Sequence, residues 1–154
     1  MKKILNYWLV TVIFVICCGQ SAFSQQKGKP RFNHMALYVT DLAKSTWFYK
    51  NVLNLDTMPE PFHDGRHTWF KIGTHDQLHL ISGADGPKER DKNTHLCFSV
   101  PRLQDAIARL EKYKIEYGNW AGDGKTPTRR TDGVLQVYLK DPDGYWIEIN
   151  DDKF

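Results

Sequence analysis

Two stretches of the chain share the same order of apolar and polar patterns. In the first stretch the pattern predicts a strand at residues 33–40 and a helix at 42–52, which Asp41 can cap. Three further strands are predicted at residues 55–58, 68–72 and 77–82. The first stretch is therefore expected to fold as a βαβββ module.

The second stretch repeats this order after a charged linker that contains Gly and Pro, residues 83–93. A strand is predicted at residues 95–100, and a helix begins at Pro101 and runs to about Tyr113 with apolar residues on one face. Residues 121–132 are expected to form a long polar loop. The remaining strands are predicted at 115–120, 134–140 and 145–150. Two βαβββ modules predict an α+β domain whose paired sheets form a cup.

The first 24 residues have the features of a secretory signal peptide. Lys2 and Lys3 precede an apolar run of eleven residues, 8–18, which is short for a bilayer span. The segment 22–24 has the small-x-small pattern of a cleavage site, so we expect cleavage after Ser24 and export to the periplasm or beyond. An uncleaved membrane anchor is one alternative. A lipoprotein is another, although neither Cys17 nor Cys18 follows a small residue.

Cleavage would leave a flexible lead-in, residues 25–31, and a single domain at residues 32–154. Its modules would span about 32–82 and 94–151. The full chain has 21 basic and 18 acidic residues, and loss of two lysines leaves 19 against 18, a net charge of +1. This balance gives no basic patch for nucleic acid and, after signal removal, no reason to expect membrane association. Cys97 would be the one remaining cysteine, which excludes an intrachain disulfide.

Four side chains in the predicted strands are candidate metal ligands. Each module has one candidate in its first strand and one in its last: His34 with His79, and His95 with Glu148. Because strand side chains alternate between two faces, all four lie on the partly polar face opposite the apolar residues. A single strand histidine is usually structural, but imidazoles and a carboxylate at four matching positions favour a divalent transition metal.

Other residues are candidates for substrate contacts. Tyr38 and Cys97 share strand faces with the predicted ligands, and Tyr138 and Trp146 could line a cavity or pack in the core. Cys97 could be a soft ligand or a reactive thiol, but we interpret it as a small buried apolar side chain. Arg129 and Arg130 in the long loop could bind an anionic substrate group, or could simply be solvated.

Three segments of the chain resemble the vicinal oxygen chelate superfamily, which includes glyoxalase I, fosfomycin-resistance proteins, extradiol dioxygenases and methylmalonyl-CoA epimerase. They are HMALYVTDLAKSTWFYKNVLNLD, THLCFSV and KDPDGYWIEIND, and the resemblance covers residues 32–151. It implies paired βαβββ modules in a cup-shaped, partly open barrel. The cup of such proteins forms either within one chain or across a homodimer, and both arrangements stay open here.

The resemblance also implies a ligand set and a reaction. His34, His79, His95 and Glu148 correspond to the four ligand positions of glyoxalase I, whereas the fosfomycin and dioxygenase branches use three. Glu148 would be the base that moves a proton between adjacent carbons through an enediolate. The metal would be Zn, Ni, Co or Fe(II), and the ligand set does not choose among them.

The chain departs from its relatives at three positions. His79 stands where glyoxalase I has Glu or Gln, and Tyr38 stands where it has an Arg that holds the glutathione carboxylate. Ala36 replaces the Thr of the fosfomycin branch. The sequence therefore favours an exported, metal-dependent glyoxalase-like lyase or isomerase on a small substrate, with doubtful glutathione dependence. The alternatives are a dioxygenase or thiol transferase in the same cup, and a non-catalytic binding or resistance protein.

Overall fold

The first module contains a four-stranded sheet and one helix. The computed structural model of the protein describes residues 28–153. The elements of this module are β1 (His34–Val39), α1 (Leu42–Asn51), β2 (Asp56–Met58), β3 (His67–Ile72) and β4 (Asp76–Ser82). The strands lie in the order β1-β4-β3-β2, with β1 parallel to β4. Asp41 caps α1 as predicted, since its carboxylate accepts a hydrogen bond from the Lys44 amide.

The second module repeats this arrangement with one additional strand. Its elements are β5 (His95–Ser99), α2 (Leu103–Lys112), β6 (Tyr117–Gly118), β7 (Thr128–Arg129), β8 (Leu135–Lys140) and β9 (Trp146–Asn150). The sheet runs β5-β9-β8-β6, with β7 also paired to β8 and with β5 parallel to β9. In the described residues the two sheets stay separate and do not close into a barrel. The predicted α+β fold with two modules and a partly open cup is confirmed.

Three details of the predicted elements were wrong. The strand expected at residues 115–120 is reduced to Tyr117–Gly118, because the Asn119 side chain accepts the Gly122 amide and turns the chain away. The loop expected at residues 121–132 contains β7. The second helix begins at Leu103, beyond Pro101.

One apolar core joins the two modules. It includes Leu37 and Leu80 of the first sheet, Leu110 of α2, and Val137 and Ile147 of the second sheet, all fully buried. The core side chains of the strands occupy the faces opposite the predicted ligands, as the alternation of each strand requires, and Leu110 packs against them from α2. Burial of the core therefore fixes which face of each sheet is left for chemistry.

Two carboxylates in the turn between β8 and β9 tie the second module to the first. Asp143 accepts hydrogen bonds from the Thr40 amide and the Ser45 hydroxyl, both at 2.6 Å. Asp141 accepts one from the Tyr49 hydroxyl at 2.7 Å. The predicted strands at residues 134–140 and 145–150 identified this segment only as the connection between them.

The predicted signal peptide, residues 1–24, lies outside the described residues, and so do residues 25–27 of the predicted lead-in. In the part of the chain that the structure describes, no helix is long and apolar enough to span a bilayer.

Candidate functional site

The four predicted ligands occupy equivalent positions in the two modules. The structure brings them together as two pairs, His34 with His79 and His95 with Glu148. His34 lies two residues before Ala36, which faces His79 across the parallel strands β1 and β4. In the same way, His95 lies two residues before Cys97, which faces Glu148 across the parallel strands β5 and β9. The shared register supports the interpretation of the modules as repeats of one unit.

The second pair places two hydrogen-bond acceptors against each other. The His95 Nδ1 atom lies 2.8 Å from the Lys92 carbonyl oxygen, which can only accept, so Nδ1 carries a proton. A neutral ring then presents the lone pair of Nε2 to Glu148 Oε2, 3.3 Å away. The two atoms repel each other unless a proton or a metal ion lies between them. Ligand atoms at about 2.1 Å from one ion are separated by roughly 3 Å, so the pair fits a metal.

Hydrogen bonds from three side chains hold the Glu148 carboxylate in place. Oε2 accepts from the Tyr138 hydroxyl at 2.6 Å, and Oε1 accepts from Asn150 Nδ2 at 2.8 Å and from the Cys97 thiol at 3.4 Å. Burial alone would raise the pKa of Glu148, but these hydrogen bonds, together with the positive charge that His95 has when it is protonated, more than offset burial and lower the pKa. Glu148 is therefore ionised at neutral pH.

Cys97 does not occupy the core position that the sequence suggested. It is exposed, because its strand face is the open face of the second sheet. Desolvation of the thiol and the adjacent charge of Glu148 raise the pKa of Cys97 to about 12. In this arrangement the thiol is protonated and donates a hydrogen bond to Glu148.

The first pair lies in a stack of three aromatic rings. His79 stacks on Trp69 at 3.8 Å between ring centroids and on His34 at 4.3 Å. His34 Nδ1 bonds the Asn33 side-chain oxygen at 2.7 Å, which leaves its Nε2 available as a ligand atom. His79 Nε2 bonds Gln77 Oε1 at 2.8 Å. Burial, followed by the charges of nearby histidines, lowers the pKa of His79 and keeps it neutral, as a metal ligand must be.

The two pairs do not form one cluster within a single copy. Among residues 28–153, no group of three or more His, Cys, Asp and Glu side chains is arranged to hold a metal ion. The described chain thus contains two separate pairs of candidate ligands, and the four-ligand metal site stays a prediction.

The candidate substrate residues are divided between the two sheets. Tyr38 is half exposed and its hydroxyl donates to the Gly83 carbonyl oxygen. Arg129 donates to the Gly133 carbonyl oxygen, and Arg130 pairs with Asp132. Tyr138 and Trp146 both line a cavity at the edge of the second sheet.

Sequence reasoning missed the side chains that position the ligands. Gln77 and Asn150 form hydrogen bonds with His79 and Glu148 that the sequence analysis did not anticipate. Each lies two residues along the strand from a predicted ligand. Because side chains two residues apart lie on the same face of a strand, the sequence could have identified both. The stacking of Trp69 on His79 had no comparable signal, because it depends on the pairing of β3 with β4.

Residues 31–149 match the pattern of the Glyoxalase/Bleomycin resistance protein/Dioxygenase superfamily. The chain belongs to this superfamily. The resemblance identified from the three sequence segments is therefore confirmed.

Relatives within the superfamily have different activities. The chain is 28% identical to lactoylglutathione lyase of Pseudomonas putida, over 77% of this chain and 83% of that protein. It is 34% identical to metallothiol transferase FosB of Shouchella clausii, over 77% of each. Among solved structures, lactoylglutathione lyase from Agrobacterium tumefaciens matches with a TM-score of 0.59 and 23% identity, over 80% of this chain and 94% of that one. The last likeness supports the superfamily fold alone.

Proposed function

We propose that this superfamily member is a metal-dependent lyase or isomerase whose site forms between two copies of the chain. His34 and His79 of one copy and His95 and Glu148 of the other would hold one divalent transition metal. The observation that carries this proposal is the second pair, in which an imidazole lone pair and a carboxylate oxygen face each other at 3.3 Å. An imidazole nitrogen beside an ionised carboxylate, each also hydrogen-bonded to another residue, is the arrangement expected of metal ligands.

Exposure of the two ligand faces supports assembly from two copies. In the first sheet His34, Ala36 and Tyr38 are exposed, and in the second sheet His95 and Cys97 are exposed. Tyr38, for example, leaves half of a large aromatic surface open to solvent. Because each face has half of the ligand set, a second copy could cover both faces and complete two sites by symmetry.

The bound ion would supply a positive charge that stabilises negative charge on adjacent substrate oxygens. Three imidazoles and one carboxylate suit Zn, Ni, Co or Fe(II). Glu148 would remove a proton from one carbon and return it to the next, while Tyr138 and Asn150 hold its carboxylate. The substrate would be a small molecule with oxygens on neighbouring carbons, such as a 2-oxoaldehyde adduct or another enolisable compound.

A glutathione adduct has less support than a smaller substrate. Tyr38 is uncharged and its hydroxyl is already bonded to the Gly83 carbonyl oxygen, so it cannot replace a carboxylate-binding arginine. The signal-like residues 1–24 further support export, away from cytosolic glutathione. The similarity to lactoylglutathione lyase supports a lyase or isomerase reaction more than it supports glutathione as part of the substrate.

Thiol transfer is the second candidate function. The observation in its favour is the 34% identity to a metallothiol transferase. It would use the same metal site but would not need Glu148 as a base.

Elemental analysis of the purified protein tests the proposal. We expect about one metal ion per chain after reconstitution, since a dimer with two shared sites has one site for each copy. His79→Ala should lower the metal content sharply, because it removes a ligand, whereas His75→Ala should not, because that exposed histidine lies in the turn before β4. Protein that stays free of metal would contradict the proposal and favour a binding protein.

Glu148→Gln separates the two candidate reactions. The variant should keep most of its metal, because an amide oxygen can still bind, but should lose proton transfer between the carbons of an oxoaldehyde–thiol adduct. That transfer is measured by deuterium incorporation from solvent. Retained incorporation would exclude Glu148 as the base.

A further inference from the structure

A cavity of about 520 Å³ opens at the edge of the second sheet. Its walls come from α1, from the end of β8, and from residues 114–122 around β6. This volume lies within the usual range of small-molecule sites, roughly 300–1,000 Å³. Tyr138 lines the cavity and also donates its hydroxyl to Glu148 at 2.6 Å, so the cavity begins beside the candidate base.

Positively charged side chains dominate the polar part of the cavity wall. Four lysines line it: Lys44, Lys92, Lys114 and Lys140. Two acidic residues line it, and one of them, Asp141, already accepts hydrogen bonds from the Tyr49 hydroxyl and from backbone amides. The wall therefore has an excess of positive charge.

Two of the lysines are engaged within the chain and two are not. Lys140 pairs with Glu89, and Lys92 donates to the Trp120 carbonyl oxygen. Lys44 and Lys114 are exposed, and within residues 28–153 neither ammonium group forms an ion pair or a hydrogen bond. These two ammonium groups are available to an anion from outside.

The backbone at Lys114 gives a second reason to regard its charge as functional. The residue follows the end of α2 and has a φ of +56°, a left-handed conformation in which glycine is favoured. A glycine would fit the backbone better but would bring no charge to the cavity wall. Lys114 thus places a charged side chain at a position where the backbone favours glycine.

Aromatic rings form much of the rest of the wall. Phe48, Tyr117 and Trp146 line the cavity together with Tyr138. Flat apolar walls with two available ammonium groups suit a molecule that has a flat apolar body and one anionic group.

We propose that this cavity binds an aromatic carboxylate, with its carboxylate at Lys44 and Lys114 and its ring against the aromatic wall. If the proposed function is correct, the substrate is an aromatic acid whose oxygens extend past Tyr138 toward Glu148. Only this second step rests on the proposed function, since binding in the cavity requires no metal.

Binding of 2-naphthoate and of its neutral counterpart 2-naphthamide, measured by calorimetry on the full chain after metal removal with EDTA, tests the cavity. Naphthoate should bind saturably, and the amide should bind roughly tenfold more weakly because it lacks the charge. The double variant Lys44→Gln/Lys114→Gln should weaken naphthoate by a similar factor and leave the amide unchanged.

Two controls keep this outcome separate from the metal proposal. Lys71→Gln, on an exposed lysine of β3 outside the cavity, should leave naphthoate binding unchanged. The EDTA-treated protein is the second control, because naphthoate binding measured without metal does not depend on the metal proposal. Equal affinities for acid and amide, equal loss in Lys71→Gln, or absence of saturable binding would each overturn the inference.

Discussion

Glu148 shows how much of a functional side chain's behaviour comes from its neighbours. A nearly buried carboxylate would ordinarily have a raised pKa, yet the donors around Glu148 lower it. The shortest of the hydrogen bonds to Glu148 comes from the Tyr138 hydroxyl, which also accepts a hydrogen bond from Gln136 at 2.6 Å. Loss of that single hydroxyl would disturb both partners.

Tyr138→Phe should therefore destabilise the protein by about 1–3 kcal/mol at pH 7. Since the pKa of Glu148 is lowered in the folded protein, its contribution to stability is fully present above the ordinary glutamate value of 4.5 and is lost as pH falls through the folded pKa. In Tyr138→Phe the pKa of Glu148 should be lowered less than in the native protein. The difference in unfolding free energy between the two proteins should therefore be smaller at about pH 3.5 than at pH 7. Urea unfolding at both pH values measures this.

Tyr117→Phe is the matched control for that experiment. Its hydroxyl donates to Glu111 at the exposed surface, so its loss should cost less than about 0.5 kcal/mol at either pH. An equal loss of stability in Tyr138→Phe at both pH values would show that Glu148 is not the group responsible.

The turn between β8 and β9 is the element that joins the modules. Its two carboxylates contact the end of β1 and one face of α1, so the turn must keep one conformation. Gly144 makes this possible, with a φ of +82° and a close approach to the Lys88 carbonyl oxygen. A Cβ at this position would collide with that oxygen.

Gly144→Ala should destabilise the protein by more than about 2 kcal/mol, because backbone strain and the collision act together. Gly122→Ala is the matched control, since Gly122 has a similar φ of +79° but nothing within 4 Å of an added Cβ. It should cost only about 1 kcal/mol. Thermal or urea unfolding compares the two, and equal losses would show that the contact with Lys88 is unimportant.

The described residues present the two candidate ligand pairs on separate sheets. If two copies combine, each metal site takes one pair from each copy, and this makes a prediction that a single-chain cup does not share. His34→Ala disables the first pair and His95→Ala disables the second. In a mixed dimer of the two variants, one site has both defects and the other has none.

Unfolding and refolding the two metal-poor variants together should therefore restore metal binding to about one quarter of an ion per chain, because half of the dimers are mixed. Each variant refolded alone should stay metal-poor. Elemental analysis after removal of free metal measures the recovery. No recovery in the mixture, despite dimers by light scattering, would favour a cup within one chain.

The order of elements could be predicted because each strand and helix has its own apolar period, which depends only on local sequence. The same period placed His34, His79, His95 and Glu148 on one kind of face. The short strand β7 could not be predicted, because two residues in a polar loop acquire their partner only when β8 lies beside them.

Contacts between distant segments determined the rest. The sequence placed Asp141 and Asp143 in a turn, but their role depends on α1 packing nearby. It placed Cys97 on the ligand face, but its exposure and raised pKa depend on which face the core buries and on the carboxylate opposite. Local patterns specify faces, whereas the distances and charges that make a site arise only when separate strands are brought together.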